Sequence, residues 1–501
     1  MLNYDVLLNI FHQYRLEDVD GWNLRFGWRK LVHVCRIWRH LIYDSPSHLD
    51  LHLLLTNGSP TLDSLAHLPP LPLVIDYCNM TTSRDGQNEL GILTGLQQRG
   101  RVRRILLQVP SPHLGIFLST MGGLYPILDN LSITATTTEE ETSLVLPGTF
   151  SARNLHYLEL QGVVLKELPL FTYFTTLVTL KLTHIQTPYY FHPGYLVTQL
   201  QGLLHLEELS IGFAVPIPLP STEVELLPAP MLRVTLPTLK RLMFRGVAVY
   251  LENLVAQIDA PLLEGLVVTL FFELAFTLVS LTQLIDTTGG FRCLSAKVLF
   301  KREGVSVVTN NGESLNSQGL IINVNCEQLD WQIDAATQCC EALERCLSAV
   351  EELTLDLDED GMPSGWDDAL DSILWHGLLV PFSGVKKLQI GSSLTFQLSE
   401  TLKSDPAELG PSFLPELQQL EVRLEVNDAN KGFSTFIETR GREGRPVESR
   451  SIPMDPLAAV RPMKLVERAD GLMQHADVLY NEHRPIMRPN DRMLAEDRMA
   501  R

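Results

Sequence analysis

Three sets of side chains in this sequence have types and spacings that could do chemistry. Cys339, Cys340 and Cys346 lie close together. Thiols so near one another could hold a metal, but zinc knuckles pair cysteines at fixed short spacings with further cysteines or histidines beside them, and no histidine is close here. His184, His192 and His205 could act as bases or ligands, yet none belongs to an HExxH, GxSxG, P-loop or GxGxxG pattern. Asp356, Asp358, Glu359 and Asp360 form an acidic run like that of a calcium loop, without its twelve-residue spacing or its closing glutamate. The thiols are therefore expected to be buried structural groups on a helix-like stretch. The histidines read as strand and loop residues, and the acidic run as a solvated turn. No metal, no cofactor and no catalytic role is expected.

The elements that would position these groups show two different periods. Val6, Leu7, Ile10, Phe11 and Tyr14 fall on one helical stripe, and Leu31, Val34, Cys35, Trp38 and Ile42 on a second. Asp44-Ser45-Pro46 ends the second, because proline cannot continue a helix. The period then changes. Leu71 to Tyr77 reads as a strand, and a motif of apolar, two residues, apolar, one residue, apolar follows. It occurs as Val102-Ile105-Leu107, Leu128-Leu131-Ile133, Leu155-Leu158-Leu160, Leu177-Leu180-Leu182, Leu206-Leu209-Ile211, Leu239-Leu242-Phe244 and Leu263-Leu266-Val268. It returns as Val350-Leu353-Leu355, Val385-Leu388-Ile390 and Leu417-Leu420-Val422, and neighbouring copies start 22 to 35 residues apart.

This is the leucine-rich-repeat pattern: strand then helix, each unit burying its apolar face only against the next. The expected fold class is α/β, an irregular solenoid with parallel strands on a concave face and helices outside. Within each strand the residues between the leucines point to that face. Tyr157, Glu159, Lys181, Glu208, Arg241, Met243, Glu352 and Lys387 are therefore the candidate substrate face. Ala214 to Pro237 is proline-rich and reads as a loop leaving the array. Residues 291–349 fit the motif badly, with Leu320 to Val324 as an off-pattern strand. The expected division is 1–46 helical, 47–100 linker with capping strand and helix, 101–426 repeats, and 427–501 a disordered tail, with a short helix possible at Met463 to Tyr480.

Composition bounds the function. Hydrophobic residues are 45% of the 501 and charged ones 20%, which excludes a mainly disordered chain. A net charge of −19 repels nucleic acid and anionic membrane surfaces, so neither is an expected partner. Seven scattered cysteines with no CxxC fit reduced thiols in the cytoplasm or nucleus. Met1 to Ile10 lacks the basic start of a signal peptide. Leu262 to Ile285 is long and apolar, but Glu264 and Glu273 make it a buried strand and helix rather than a membrane span.

Leu2, Ile10-Phe11 and Val34-Cys35-Arg36-Ile37-Trp38-Arg39, placed ahead of a repeat array, resemble the F-box, as found in fungal F-box proteins. The family's proline after the first leucine is Asn3 here, and the insert from Arg15 to Trp28 is longer than usual. The repeats also lack the usual asparagine after each strand, where Val163, Ile185 and Val247 stand. The resemblance implies a non-catalytic adaptor of a Skp–cullin–F-box ubiquitin ligase. It implies that Val6, Leu7, Ile10, Phe11, Leu31, Val34, Cys35 and Trp38 dock on the Skp subunit and through it a cullin, while the repeats hold a protein substrate. The alternative is a leucine-rich-repeat interaction scaffold with no ligase role.

Overall fold

The computed structural model is a mixed α/β chain organised around one large sheet. It describes residues 3–453 except 18–26, 46–48, 50, 58–64, 66–69, 81–85, 137–143, 166–173, 187–189, 217–232, 274, 289–290, 292, 311–318, 359–360, 366–371, 404–413, 425–432 and 443. Most of the proline-rich loop, Glu359, Asp360 and the candidate helix at Met463 to Tyr480 thus lie outside the described residues. No helix among the described residues is long and apolar enough to cross a membrane.

Three helices open the chain: α1 (Tyr4–Glu17), α2 (Gly27–Val32) and α3 (Arg36–Asp44). The strands that follow are β1 (Leu53–Thr56), β2 (Leu73–Cys78), β3 (Val102–Val109), β4 (Asn130–Ala135), β5 (Val145–Leu146), β6 (Tyr157–Gln161), β7 (Val164–Leu165), β8 (Thr179–Ile185), β9 (Glu208–Phe213) and β10 (Val234–Thr235). Then come β11 (Arg241–Gly246), β12 (Ile258–Asp259), β13 (Gly265–Phe271), β14 (Ser295–Lys301), β15 (Gly304–Asn310), β16 (Gly319–Asn325), β17 (Glu352–Leu357), β18 (Lys387–Ile390), β19 (Gln419–Leu424) and β20 (Glu448–Pro453). The helices between them are α4 (Gly86–Gln97), α5 (Ser111–Thr120), α6 (Pro193–Leu200), α7 (Ala248–Val255), α8 (Val279–Thr287), α9 (Leu329–Ala342), α10 (Glu344–Leu347), α11 (Ser372–Leu379), α12 (Thr395–Lys403) and α13 (Ser434–Arg442).

Every copy of the motif becomes a strand of the 16-stranded sheet. The apolar positions stack in register: Leu131, Leu158, Leu180, Leu209, Leu242 and Leu266 are paired neighbours, all fully buried. The first leucine of each motif, just ahead of its strand, adds another buried layer through Leu128, Leu155, Leu177, Leu206 and Leu239. Threonine hydroxyls tie neighbouring turns together. Thr176 Oγ1 donates to the carbonyls of Arg153 and Leu155, and Thr238 Oγ1 to those of Leu204 and Leu206. Each threonine precedes the first leucine of its motif and ties its turn to the previous unit.

The region 262–285 is the strand β13 and the helix α8, with Glu264 exposed. Glu273 Oε1 accepts the Ala248 N–H at the start of α7. Glu252, on α7, accepts the N–H groups of Ser280 and Leu281 at the start of α8. The free N–H groups at these helix starts are satisfied by carboxylates from neighbouring units.

Three expectations need correction. First, the sheet is not wholly parallel. The strands β14, β15 and β16 form an antiparallel meander, in sheet order β13-β16-β15-β14-β17, with β16 parallel to β13 and β14 parallel to β17. A two-residue turn at Arg302-Glu303 joins β14 to β15, and a motif search tuned to strand–helix units passes over such a hairpin. Second, within the region from 427 the described residues 433–442 and 444–453 hold ordered structure. Phe433 and Phe436 are buried, Arg440 donates to the carbonyls of Leu414 and Pro415, and β20 pairs in parallel with β19. Its many arginines conceal it, since one of them is a buried hydrogen-bond hub. Third, the stripe from Leu31 to Ile42 is not one helix. It breaks at His33-Val34, and Cys35 becomes the N-cap of α3, its Sγ accepting the Trp38 N–H at 3.5 Å.

Candidate functional site

The second face of the sheet carries three in-register rows of side chains between the buried ones. Tyr157, Glu208, Arg241, Glu352 and Lys387 share the first row, and Glu159, Lys181 and Met243 share the second. All eight candidate residues therefore lie on one face, on six different strands.

The rows are cross-linked. Glu159 accepts from the hydroxyls of Ser132 and Tyr157, both at 2.8 Å. Lys181 Nζ and an Arg241 Nη2 approach opposite oxygens of Glu208, each at 2.9 Å, and Lys181 also lies 5.8 Å from the centre of the Tyr157 ring. Burial alone would raise the Glu208 pKa, but the hydrogen bonds and charges of Lys181 and Arg241 outweigh it and hold the carboxyl below its ordinary range. Burial, and then the Glu159 carboxylate, push the Tyr157 hydroxyl up, so it stays a donor at neutral pH. Farther along, Lys387 pairs with Glu421 at 3.0 Å, Gln389 donates to Glu421 at 2.9 Å, and Lys297 lies 3.7 Å from Asp356. Glu352 is exposed.

Sequence reasoning found Met243 in the middle of this face and missed its neighbours Val267, Ile321 and Val308. In the second row Met243, Val267, Ile321 and Val308 stand side by side on β11, β13, β16 and β15. All four are partly exposed and alternate with the buried residues of their strands. In the third row Arg245 is buried over the Phe271 ring, and Asn323 joins Thr269 and Ser306. The alternation in Gly319–Asn325 and Gly304–Asn310 was visible, but only the register shows that these strands lie beside β13.

At the N-terminus the expected set divides. Leu7 and Phe11 are buried with Val32 and Ile42, and Phe11 meets Trp38 edge-to-face at 4.7 Å. Leu31 and Trp38 are half-buried. Val6, Ile10 and Val34 are exposed, with Ile10 at 47% and Val34 at 59%. Tyr4, Tyr14 and Ile37 are exposed as well, and Ile37 was missed as a surface residue. Cys35 is exposed but serves as the helix cap, and Arg39 Nε donates to the Val32 carbonyl across the break.

Among the described residues no group of three His, Cys, Asp or Glu could hold a metal ion. Cys339 and Cys340 are buried on α9 and burial pushes both thiols up, so they stay protonated. Cys346 is partly exposed and pushed up to about 11, by burial first and then by Cys293 and Asp286. His192 caps α6, its Nδ1 accepting the Gly194 N–H, and His205 is exposed. His184 sits at φ 55° beside a register shift in β8, and burial, then the charge of Arg245, lower its pKa to about 4. Neither protein-family profiles nor curated protein sequences give a match to the chain.

Proposed function

We propose that this chain is a non-catalytic substrate adaptor of a Skp–cullin–F-box ubiquitin ligase. On this reading α1–α3 are an F-box that docks on Skp, and the sheet is a leucine-rich-repeat solenoid whose second face holds a protein substrate. Its work is proximity: it raises the local concentration of a bound protein at the ligase's conjugating enzyme. The observation that carries the reading is the division of apolar residues in α1–α3. One set closes a small core, while Val6, Ile10, Tyr14, Val34 and Ile37 face solvent. So many large apolar side chains on so short a segment mark a surface meant to be covered, and an apolar helix face laid in a partner groove is a known way to cover it. Repeated in-register units and threonine-tied turns support the solenoid. The mixed, cross-linked side chains of the second face suit recognition of a protein.

The test is co-purification with the Skp protein of the same organism. Val6→Asp, Ile10→Asp and Ile37→Asp change only exposed positions, so circular dichroism should match the parent. Each should weaken Skp binding about tenfold or more, as central interface anchors do. Phe11→Ala is the contrasting variant, since it opens the helical core and should lose helicity too. Failure of the parent chain to bind Skp, or unchanged binding by the three aspartate variants, would remove the ligase role. The repeat scaffold would then be the reading that stands, favoured by the burial of Leu7 and Phe11 inside the helices rather than on a docking surface.

A further inference from the structure

The second row of the sheet's second face is polar on both sides of one apolar stretch. Ser210 borders it on β9 and Lys297 on β14, and between them lie Met243, Val267, Ile321 and Val308. Four adjacent strands span roughly 15 Å at the usual strand spacing. In the row beside it, Gly265 and Gly319 are neighbours, so no side chain rises between Arg241 and Asn310. Gly319 is required by the backbone, since a Cβ there would come within 2.6 Å of the Thr309 carbonyl oxygen. Among the described residues the effect is a shallow apolar trough beside two glycines, of which Gly265 is buried.

Lys181 and Arg241 border this trough together with the carboxylates of Glu208 and Glu159. Lys181 and Arg241 share the carboxylate of Glu208, and Glu159 lies beyond Lys181 on β6, so Arg241 is the cation nearest the apolar stretch. The Arg241 side chain is 45% exposed and bonds Glu208 through one nitrogen, while a guanidinium has five N–H donors in a fixed fork. A carboxylate from a partner would meet that fork without displacing Glu208. Its neighbouring apolar side chain would fall into the trough one row away.

We infer that this trough binds a protein segment carrying an acidic residue close to a large apolar one, the apolar side chain seated on Met243, Val267, Ile321 and Val308 and the carboxylate on Arg241. The inference rests on the reading of this face as the substrate face. It adds the kind of segment recognised, and does not depend on Skp.

The experiment uses the full chain and fluorescein-labelled peptides about twelve residues long, the scale of segments read by protein grooves. Each has a Gly-Ser background, one Leu or Phe, and an Asp at an offset of about one to three residues, followed by fluorescence anisotropy. At least one offset should bind saturably. Its Asp→Asn counterpart should bind about tenfold more weakly, in line with the loss of a charge-assisted pair, and its Leu→Ser or Phe→Ser counterpart should not bind. Arg241→Gln should erase the preference for Asp over Asn. Val308→Thr, nearly isosteric and partly exposed, keeps the fold and should weaken every peptide. Glu344→Gln, exposed on α10 and away from the sheet's second face, should change nothing. No binding at any offset, or a preference that survives Arg241→Gln, overturns the inference, and so does tighter binding of a phosphoserine peptide. The same preparation is assayed for Skp. Skp binding without peptide binding rejects the trough alone, and peptide binding without Skp binding rejects the ligase role alone.

Discussion

At Glu208 two cations share one carboxylate that is itself nearly buried. Its pKa is held below that of an unfolded glutamate, so its contribution to stability is full above the ordinary carboxylate range and is lost as pH falls through the folded value. Glu208→Gln should cost about 1–2 kcal/mol at pH 7, a modest figure because the Arg241 side chain is nearly half exposed and screened. The gap to the parent should close in acid, as read by urea midpoints at both pH values. His184 gives the opposite kind of group, kept neutral when folded. The unfolded chain takes up its proton first as pH drops from 6.5 towards about 4, so stability falls across that window. His184→Asn removes the titration and keeps a residue that tolerates a left-handed backbone. It should flatten the acid-side loss by about 1–3 kcal/mol, again by urea midpoints. Alternation within each strand was enough to place Glu208, Lys181 and Arg241 on one face. That they meet at one carboxylate depends on strand register, which no local pattern contains.

The helices depend on long-range caps. Glu252 holds two N–H groups at the start of α8, and Glu273 one at the start of α7. Neither has a local capping signature, since each acceptor is about two dozen or more residues from its donor. Glu252→Ala should lower stability by about 1–2 kcal/mol, the range of a lost cap plus its charge. Hydrogen exchange should quicken at Ser280 and Leu281 while β4 and β6 keep their protection. The break at His33-Val34 is set by local bonds instead. Helical spacing of Leu31, Val34, Cys35, Trp38 and Ile42 was legible, but spacing continues across a tight turn as readily as along a helix. The Cys35 cap and the Arg39–Val32 bond decide where the helix restarts.

For the whole molecule, the strand ladder was readable because each unit repeats its leucines. Of the meander only β16 was readable, at Leu320 to Val324, and β14, β15 and β20 were not, since they break that repetition. The buried Phe433, Phe436 and Val447 and the pairing of β20 make residues 433–453 part of the sheet's closing end. A chain ending at residue 426 should therefore expose the edge of β19 and lose the burial of three apolar side chains, each worth about 1.5–3 kcal/mol. Limited proteolysis should cut it first between β18 and β19, while β4 to β9 resist as in the full chain. Equal resistance at both ends would show that residues 433–453 add nothing to the sheet.

The reversed order of β14, β15 and β16 also sets a timetable for synthesis. Elsewhere on the N-terminal side a strand waits for the next unit to cover its edge, as Ile185 waits for Glu208. The edge of β13 waits from Phe271 to Gly319 instead, about twice that length of chain. At typical ribosomal speeds this is roughly 2–10 s of bare, apolar strand edge. β14 meanwhile emerges beside nothing and must hold to β15 alone, until β16 docks on β13 and β17 arrives on its far side. The nascent chain is therefore most vulnerable to mispairing with a neighbouring copy at this one seam, and a holding chaperone would be needed there rather than at either terminus.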